Sequence, residues 1–373
     1  MRYGRADTES LMDLSQYKNR KVLVTGHTGF KGSWMCRVLL RAGAEVTGYA
    51  LEPVRTDMPS LFDLCRAEGD IRSVTGDIRD AGHLKAVFEE AKPEVVIHMA
   101  AQSIVRTGYR EPLVTYETNV MGTANLLECV RTSDNVRSVV AVTTDKVYRP
   151  VMSSFGERIE AFSEDDRLGG YDPYSASKSC AEIVADSYRE SYLLGMGIPV
   201  STMRAGNAIG GGDFGTDRLM PDCVRSALRG DVIVIRNPEG VRPYQHVLDP
   251  VCAYLHAAAA QLWDPSLQGA YNTGPDEAPV TNEELVKRFC LAWNKRAGGS
   301  QLTYVKNCEN STMTETPELR ISNDKIHKVL GWENRFTLDE AIQEMIGFTT
   351  EYMRSGDIAA HMDKWIKRYC CET

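Results

Sequence analysis

The chain has 373 residues, 43% of them apolar and 25% charged, enough for one large domain carrying a lobe or for two modest domains with their own cores. Basic residues number 43 and acidic residues 51, and a net charge of -8 excludes general attraction to nucleic acid or to an anionic membrane surface, so an anionic ligand requires a local arginine cluster. No apolar run approaches the roughly 18 residues of a membrane helix, no signal-peptide core opens the chain, and its ten cysteines lack metal-ligand spacing, so a cytoplasmic protein with reduced thiols, no membrane partner and no metal is expected.

Residues 1–18 are polar and aperiodic, a lead-in to the first domain. Lys21 to Thr25 reads as a buried strand, followed by Gly26-His27-Thr28-Gly29-Phe30-Lys31-Gly32 and an amphipathic run from Ser33 to Arg41. Gly26 suits a tight turn, Gly29 the approach of a pyrophosphate to backbone N–H groups at a helix start, and Gly32 the packing of helix on strand. The order of strand, glycine loop and helix points to dinucleotide binding.

Strands at Glu45 to Tyr49, Ile71 to Thr75, Val95 to His98 and Ser138 to Thr143 alternate with helices at Ala81 to Ala91 and Leu113 to Val130. That alternation predicts an α/β fold with a Rossmann-type doubly wound parallel sheet and ligands at the carboxyl ends of its strands. The second strand lacks the usual terminal acid, since Ala50 stands there with Glu52 and Arg55 beyond. Glu52 on the ribose would indicate NAD, the favoured reading, and Arg55 on a 2'-phosphate would indicate NADP. Asp77 and Ile78 follow the third strand, where they would flank the adenine.

Within Tyr171 to Lys178, Asp172 serves as a helix N-cap and Pro173 as the first helical residue, which sets Tyr174 and Lys178 at i and i+4 on one face. A cation beside a phenol favours the phenolate, which lets Tyr174 exchange a hydroxyl proton well below the free-phenol pKa of about 10. The pair suits alcohol oxidation. A strand from Val200 to Met203 completes a nucleotide domain over 19–205. Residues 206–373 predict a smaller mixed α/β C-terminal substrate lobe whose boundary segments cross, with helices at Asp217 to Arg229, Leu248 to Leu262, Asn282 to Trp293 and Thr337 to Ser355 and short strands near Ile233 and Ala270. Arg204, Arg218, Arg236 and Arg242 are the candidate partners of a diphosphate, and glycines 210–212 mark a loop where backbone comes close to ligand.

The chain resembles the extended short-chain dehydrogenase/reductase family, and within it the nucleotide-sugar 4,6-dehydratases, most closely those acting on CDP-glucose. The likeness is carried by Val24 to Trp34, Gly76 to Asp80, His98 to Gln102, Thr118 to Thr123, Thr144-Asp145-Lys146, Gly169 to Ser175, Arg204 to Asn207, Ile209 to Asp213 and Arg242 to Val247, and spans about residues 18–350. It implies NAD as cofactor and a nucleotide sugar as substrate, in deoxysugar biosynthesis. Such an enzyme oxidises carbon 4 of the sugar, eliminates water across carbons 5 and 6, and returns the hydride to carbon 6. On this resemblance Tyr174 is the base for the carbon-4 hydroxyl, Lys178 lowers its pKa and binds the nicotinamide ribose, Thr144 donates to the carbon-4 oxygen and Asp145 protonates the leaving hydroxyl. Lys146 stands where most relatives have Glu as carbon-5 base. It acts as that base when neutral, stabilises the enolate when charged, or merely pairs with Asp145.

The resemblance also assigns Gly26, Thr28, Gly29, Phe30, Gly32, Glu52, Asp77, Ile78, Ala100, Ala101 and Asn119 to the cofactor. To the substrate it assigns Gln102, Asn207, Leu219 and the four arginines, with Arg242 the best match to the pyrophosphate arginine and Arg204 the one most suited to a structural role; His246 either reaches the substrate or belongs to the core. Helices 113–130 and 174–192 imply a homodimer, or a tetramer built on it. The acidic stretch 149–168 departs from the pattern and suggests a lid or rim. A nucleotide-sugar epimerase would share Tyr174 and Lys178 without needing the acid at Asp145, and a non-catalytic NAD-binding regulator would have lost one of the catalytic types.

Overall fold

The computed structural model describes residues 14–65, 70–150, 161–297, 301–307 and 318–370. In chain order the elements are β1 (Lys21–Thr25), α1 (Phe30–Arg41), β2 (Glu45–Ala50), α2 (Leu61–Cys65), β3 (Arg72–Thr75), α3 (Ala81–Ala91), β4 (Val95–His98), α4 (Val105–Arg110), α5 (Pro112–Tyr116), α6 (Gly122–Arg131) and β5 (Ser138–Val142). Then follow α7 (Pro173–Tyr188), β6 (Val200–Ala205), β7 (Asn207–Ile209), α8 (Leu219–Arg229), β8 (Ile233–Ile235), β9 (Val241–Arg242), β10 (Tyr244–His246), α9 (Leu248–Trp263) and β11 (Ala270–Thr273). The chain continues through β12 (Val280–Thr281), α10 (Asn282–Ala297), β13 (Tyr304–Lys306), α11 (Asp324–Leu330), α12 (Leu338–Met353) and α13 (Ile358–Cys370).

Seven parallel strands form the central sheet in the order β11-β6-β5-β4-β1-β2-β3. Its middle strands are mostly apolar because helices cover both faces, and Val95 to Ile97 and Val139 to Ala141 are all buried. One face packs against α3, α6 and α7 through Leu84, Phe88, Leu126, Val130 and Ala185. The other carries α1 and α9, and its core runs on into α12 and α13 through Trp34, Tyr254, Phe348 and Tyr369. Strand β11, late in sequence, pairs with β6 from Ala270↔Thr202 to Thr273↔Ala205, so the later half of the chain returns to the first sheet. Three two-stranded sheets, β10-β7, β12-β9 and β13-β8, build the smaller lobe.

The helix expected over Leu113 to Val130 is not uniform. Residues Glu117–Met121 form a π turn between α5 and α6, and this insertion aims Asn119 inward, where it is buried. At the acidic stretch, residues 151–160 lie outside the described residues. The rest folds back, with Phe162 stacked on Tyr148 and hydrogen-bonded in backbone to Arg320 and Ser322.

Candidate active site

The helix that carries Tyr174 starts as its sequence suggests, since the Asp172 side chain accepts from the Ser175 N–H at 3.0 Å and Pro173 occupies the first turn. Tyr174 and Lys178 are both buried on the face turned to the end of β5, where Thr143, Thr144 and Asp145 leave the sheet. Thr144 Oγ1 donates to Asp145 Oδ1 at 3.0 Å and lies close enough to the Tyr174 phenol to pull its pKa down. Burial raises the Tyr174 pKa to about 12; the Thr144 hydroxyl and the Arg218 charge oppose this, and the Asp145 and Asp172 charges add to it. Lys178 Nζ donates to the Val142 carbonyl at 3.0 Å, and burial, aided by the Lys31 charge and opposed by Glu182, lowers its pKa to about 8. The phenol is therefore neutral in this state, contrary to the expectation that the lysine alone lowers it, because desolvation outweighs the charges around it.

Asp145 is buried, and desolvation lifts its carboxyl above the ordinary range against the pull of Lys146, Thr144, Arg242 and Lys31. Its Oδ2 has no hydrogen-bond partner among the described residues, which suits an oxygen that carries a proton. Lys146 is half-buried and forms no ion pair with Asp145 among the described residues, so its charge reaches the carboxyl through space. Lys31, inside the glycine motif, escaped the sequence reading. Burial lowers its pKa to about 8, and it is coupled to Asp145, Arg218 and Asp213, which places a second lysine charge in this cluster. The only signal for it was a cation between Phe30 and Gly32, where helix packing needs none.

The glycine loop fits a dinucleotide. Gly26 has φ +76°, and a Cβ there would sit 2.8 Å from the Ala100 nitrogen; a Cβ on Gly32 would sit 2.2 Å from the Gly26 carbonyl oxygen. Gly29 caps α1 without a side chain and donates its own N–H to the Gly26 carbonyl at 3.1 Å, which leaves Thr28 and Phe30 to offer backbone to an anion. Ala100 and Ala101 follow β4 half-buried, with the Ala100 N–H donating to Thr25 Oγ1. Glu52 accepts from Thr75 Oγ1 at 2.7 Å, whereas Arg55 is committed to Asp63 at 2.8 Å and is not left to receive a 2'-phosphate. Asp77 is paired with Arg79, and Ile78 is buried against Gly122.

Several expected contacts go elsewhere. Gln102 spends its amide on Thr115 Oγ1 and the Ile104 N–H, while Asn119 bonds both backbone groups of Gln102 and the Ser177 hydroxyl, so together they brace the loop after β4 against α7. Arg204 is buried, pairs with Glu182 at 3.0 Å, and donates to Tyr148 Oη and the Glu164 carbonyl, which makes it a core ion pair with only Nε unpartnered among the described residues. His246 is wholly buried beside Glu344, packed on Phe336 and Trp365, and belongs to the core. Arg236 is held by Asp217 and Asp222, and Arg218 by Asp213 at 2.8 Å. Arg242 is buried on β9 with its charge felt at Asp145, and Asn207 opens β7 with its N–H on the Pro243 carbonyl. Leu219 begins α8, half-buried against the main core.

The pattern of the GDP-mannose 4,6 dehydratase family matches residues 23–345. The CDP-glucose 4,6-dehydratase of Salmonella typhimurium is 38% identical over 371 residues, covering 97% of this chain and 99% of that protein. Among solved structures, the dTDP-glucose 4,6-dehydratase of Bacillus anthracis in complex with NAD superposes with a TM-score of 0.73 at 25% identity, covering 90% of this chain and 98% of that one. The dTDP-glucose 4,6-dehydratase of Streptomyces venezuelae, also with NAD bound, gives a TM-score of 0.72 at 26% identity over the same shares.

Proposed function

Because the chain belongs to the GDP-mannose 4,6-dehydratase family, we propose that it is an NAD-dependent hydro-lyase that converts CDP-glucose to CDP-4-keto-6-deoxyglucose. The observation that carries this reading is the Asp145 carboxyl. It is buried, raised in pKa, open at Oδ2 and hydrogen-bonded to Thr144, an acid that an epimerase would not need.

The residues divide the work. Tyr174 takes the carbon-4 hydroxyl proton while Thr144 donates to the same oxygen. NAD, held by the glycine loop, would supply the hydride acceptor for carbon 4 and the hydride donor for carbon 6, and its ring charge would favour the Tyr174 phenolate. Lys146 serves the carbon-5 step, as base for that proton or as the group that stabilises the enolate, and Asp145 gives its proton to the carbon-6 hydroxyl, which leaves as water. Lys178, held by the Val142 carbonyl, supplies a cation beside the phenol. The glycine loop, Glu52, Asp77, Ile78 and Asn119 frame the cofactor side, and Arg218, Arg242 and Asn207 frame the diphosphate in a lobe drawn from residues 206–373.

The proposed assembly is a homodimer through residues 113–130 and 174–192. Leu113, Val114, Tyr116, Met121, Ile183 and Tyr192 stand exposed there and form an apolar face. No helix among the described residues is long and apolar enough to cross a membrane. The test is incubation with NAD and CDP-glucose, dTDP-glucose, GDP-mannose or UDP-glucose, followed by detection of the 4-keto-6-deoxy product by NMR. Product from CDP-glucose alone supports the reading, and a stereoisomer without loss of water contradicts it.

A further inference from the structure

Glu182 follows Lys178 by one turn, so Tyr174, Lys178 and Glu182 stand at i, i+4 and i+8 on one face of α7, all buried. Its carboxylate is divided between two strands. Oε1 accepts the Thr143 hydroxyl, and Oε2 accepts the Thr202 hydroxyl at 2.6 Å and Arg204 Nη2 at 3.0 Å. Thr143 lies between Val142, whose carbonyl holds Lys178, and Thr144, where the catalytic triplet begins. The end of β5 is thus tied to α7 at two successive residues. A well-packed apolar residue would often serve stability as well as a buried ion pair does, so stability alone does not account for a carboxylate here.

We propose that Glu182 is a positioning residue, whose carboxylate sets Thr144 and Asp145 against Tyr174 and stands one helical turn from Lys178. The inference rests on the dehydratase reading for the roles of those four residues. Lys178 is faced by Lys31 from α1, by His98 from β4, which burial and the Lys178 charge keep neutral with a pKa of about 3, and by Tyr174 and Glu182 from its own helix. Of these, Glu182 is the group that raises the Lys178 pKa. Arg204 from β6 balances the carboxylate without reaching Lys178 by any hydrogen bond.

Two variants separate geometry from charge. Thr143→Val removes the tie to β5 and keeps the carboxylate, whereas Glu182→Gln removes the charge and keeps the shape. With NAD and whichever nucleotide sugar the wild type turns over, Thr143→Val should lower kcat about tenfold, leaving KM, NAD affinity by fluorescence titration and the pH profile unchanged. Glu182→Gln should lower kcat at least as far and also move the alkaline limb of the profile to lower pH. If Arg204 left unpaired prevents folding, the double variant Glu182→Gln/Arg204→Met removes both charges and should show the same shift. Wild-type kcat and profile in these variants, or losses that track Tm alone, would overturn the proposal. Because the wild type chooses the substrate, failure of CDP-glucose strikes the reading above and leaves this test standing; a wild type inert on every sugar overturns both.

Discussion

Lys178 Nζ donates to the carbonyl oxygen of Val142 at 3.0 Å, so the lysine proposed to serve Tyr174 is anchored to the strand that presents Thr144, Asp145 and Lys146. The phenol of Tyr174 depends on Thr144 and on incoming charge to ionise, and the alkaline behaviour of the enzyme follows from the lysine.

With its pKa lowered to about 8, Lys178 is charged below that pH and neutral above it. Activity should therefore hold through neutral pH and fall as pH rises past about 8. Lys31 is a cation that pushes Lys178 down, so Lys31→Met should move the alkaline limb of kcat/KM to higher pH. The pH profile of the variant beside the wild type checks this, and an unmoved limb contradicts it.

Asp145→Asn removes the proton donor for the leaving hydroxyl and leaves the carbon-5 base. Product formation should fall by about 10²–10⁴, while substrate recovered from D2O gains deuterium at carbon 5. Lys146→Met should lose both product and exchange. Mass spectrometry of the recovered nucleotide sugar reads the two outcomes apart.

Arg204 and Arg242 are both buried arginines of the same lobe boundary, but only Arg204 is committed to Glu182 and Tyr148. Arg204→Met should cost about 3–5 kcal/mol of stability and leave KM for the nucleotide sugar unchanged in whatever protein folds. Arg242→Gln should raise that KM about tenfold or more, as expected for a lost charge-assisted diphosphate contact. Steady-state kinetics and thermal melts on the same samples distinguish them.

Glu344 is wholly buried between His246 and His361 and accepts the Gly211 N–H at 2.6 Å. Burial would raise its pKa, but the two histidines and this N–H together hold it below the ordinary value of 4.5. Its contribution to stability is then present above pH 4.5 and lost as pH falls through the lower folded value. Glu344→Ala should lower Tm by roughly 5–10 °C, the loss expected when a buried charge partner is removed.

Much of this architecture was legible in the order of residues. Apolar runs such as Lys21–Thr25 and Ser138–Val142, each bounded by turn residues, specify parallel strands because both faces are buried. Tyr174 and Lys178 could be set on one helix face by spacing alone. What could not be read was long-range partnership: Arg204 stands out as the most structural of the four arginines, but its partner Glu182, 22 residues earlier, is not legible. Gln102 likewise fills a motif, yet its amide is used up within the loop by Thr115 and Ile104. The π turn that aims Asn119 inward changes no residue type and leaves no mark on periodicity over five residues. Lys31 was hidden because the glycines around it explained the motif without it.

The most direct test of the account is the fate of the carbon-4 hydrogen. CDP-glucose carrying deuterium at carbon 4, turned over with NAD in ordinary water, should yield a 4-keto-6-deoxy product with that deuterium on carbon 6. Deuterium that reappears on carbon 4 of a sugar with inverted configuration, with no water lost, would contradict dehydration and leave Asp145 without a reaction to serve.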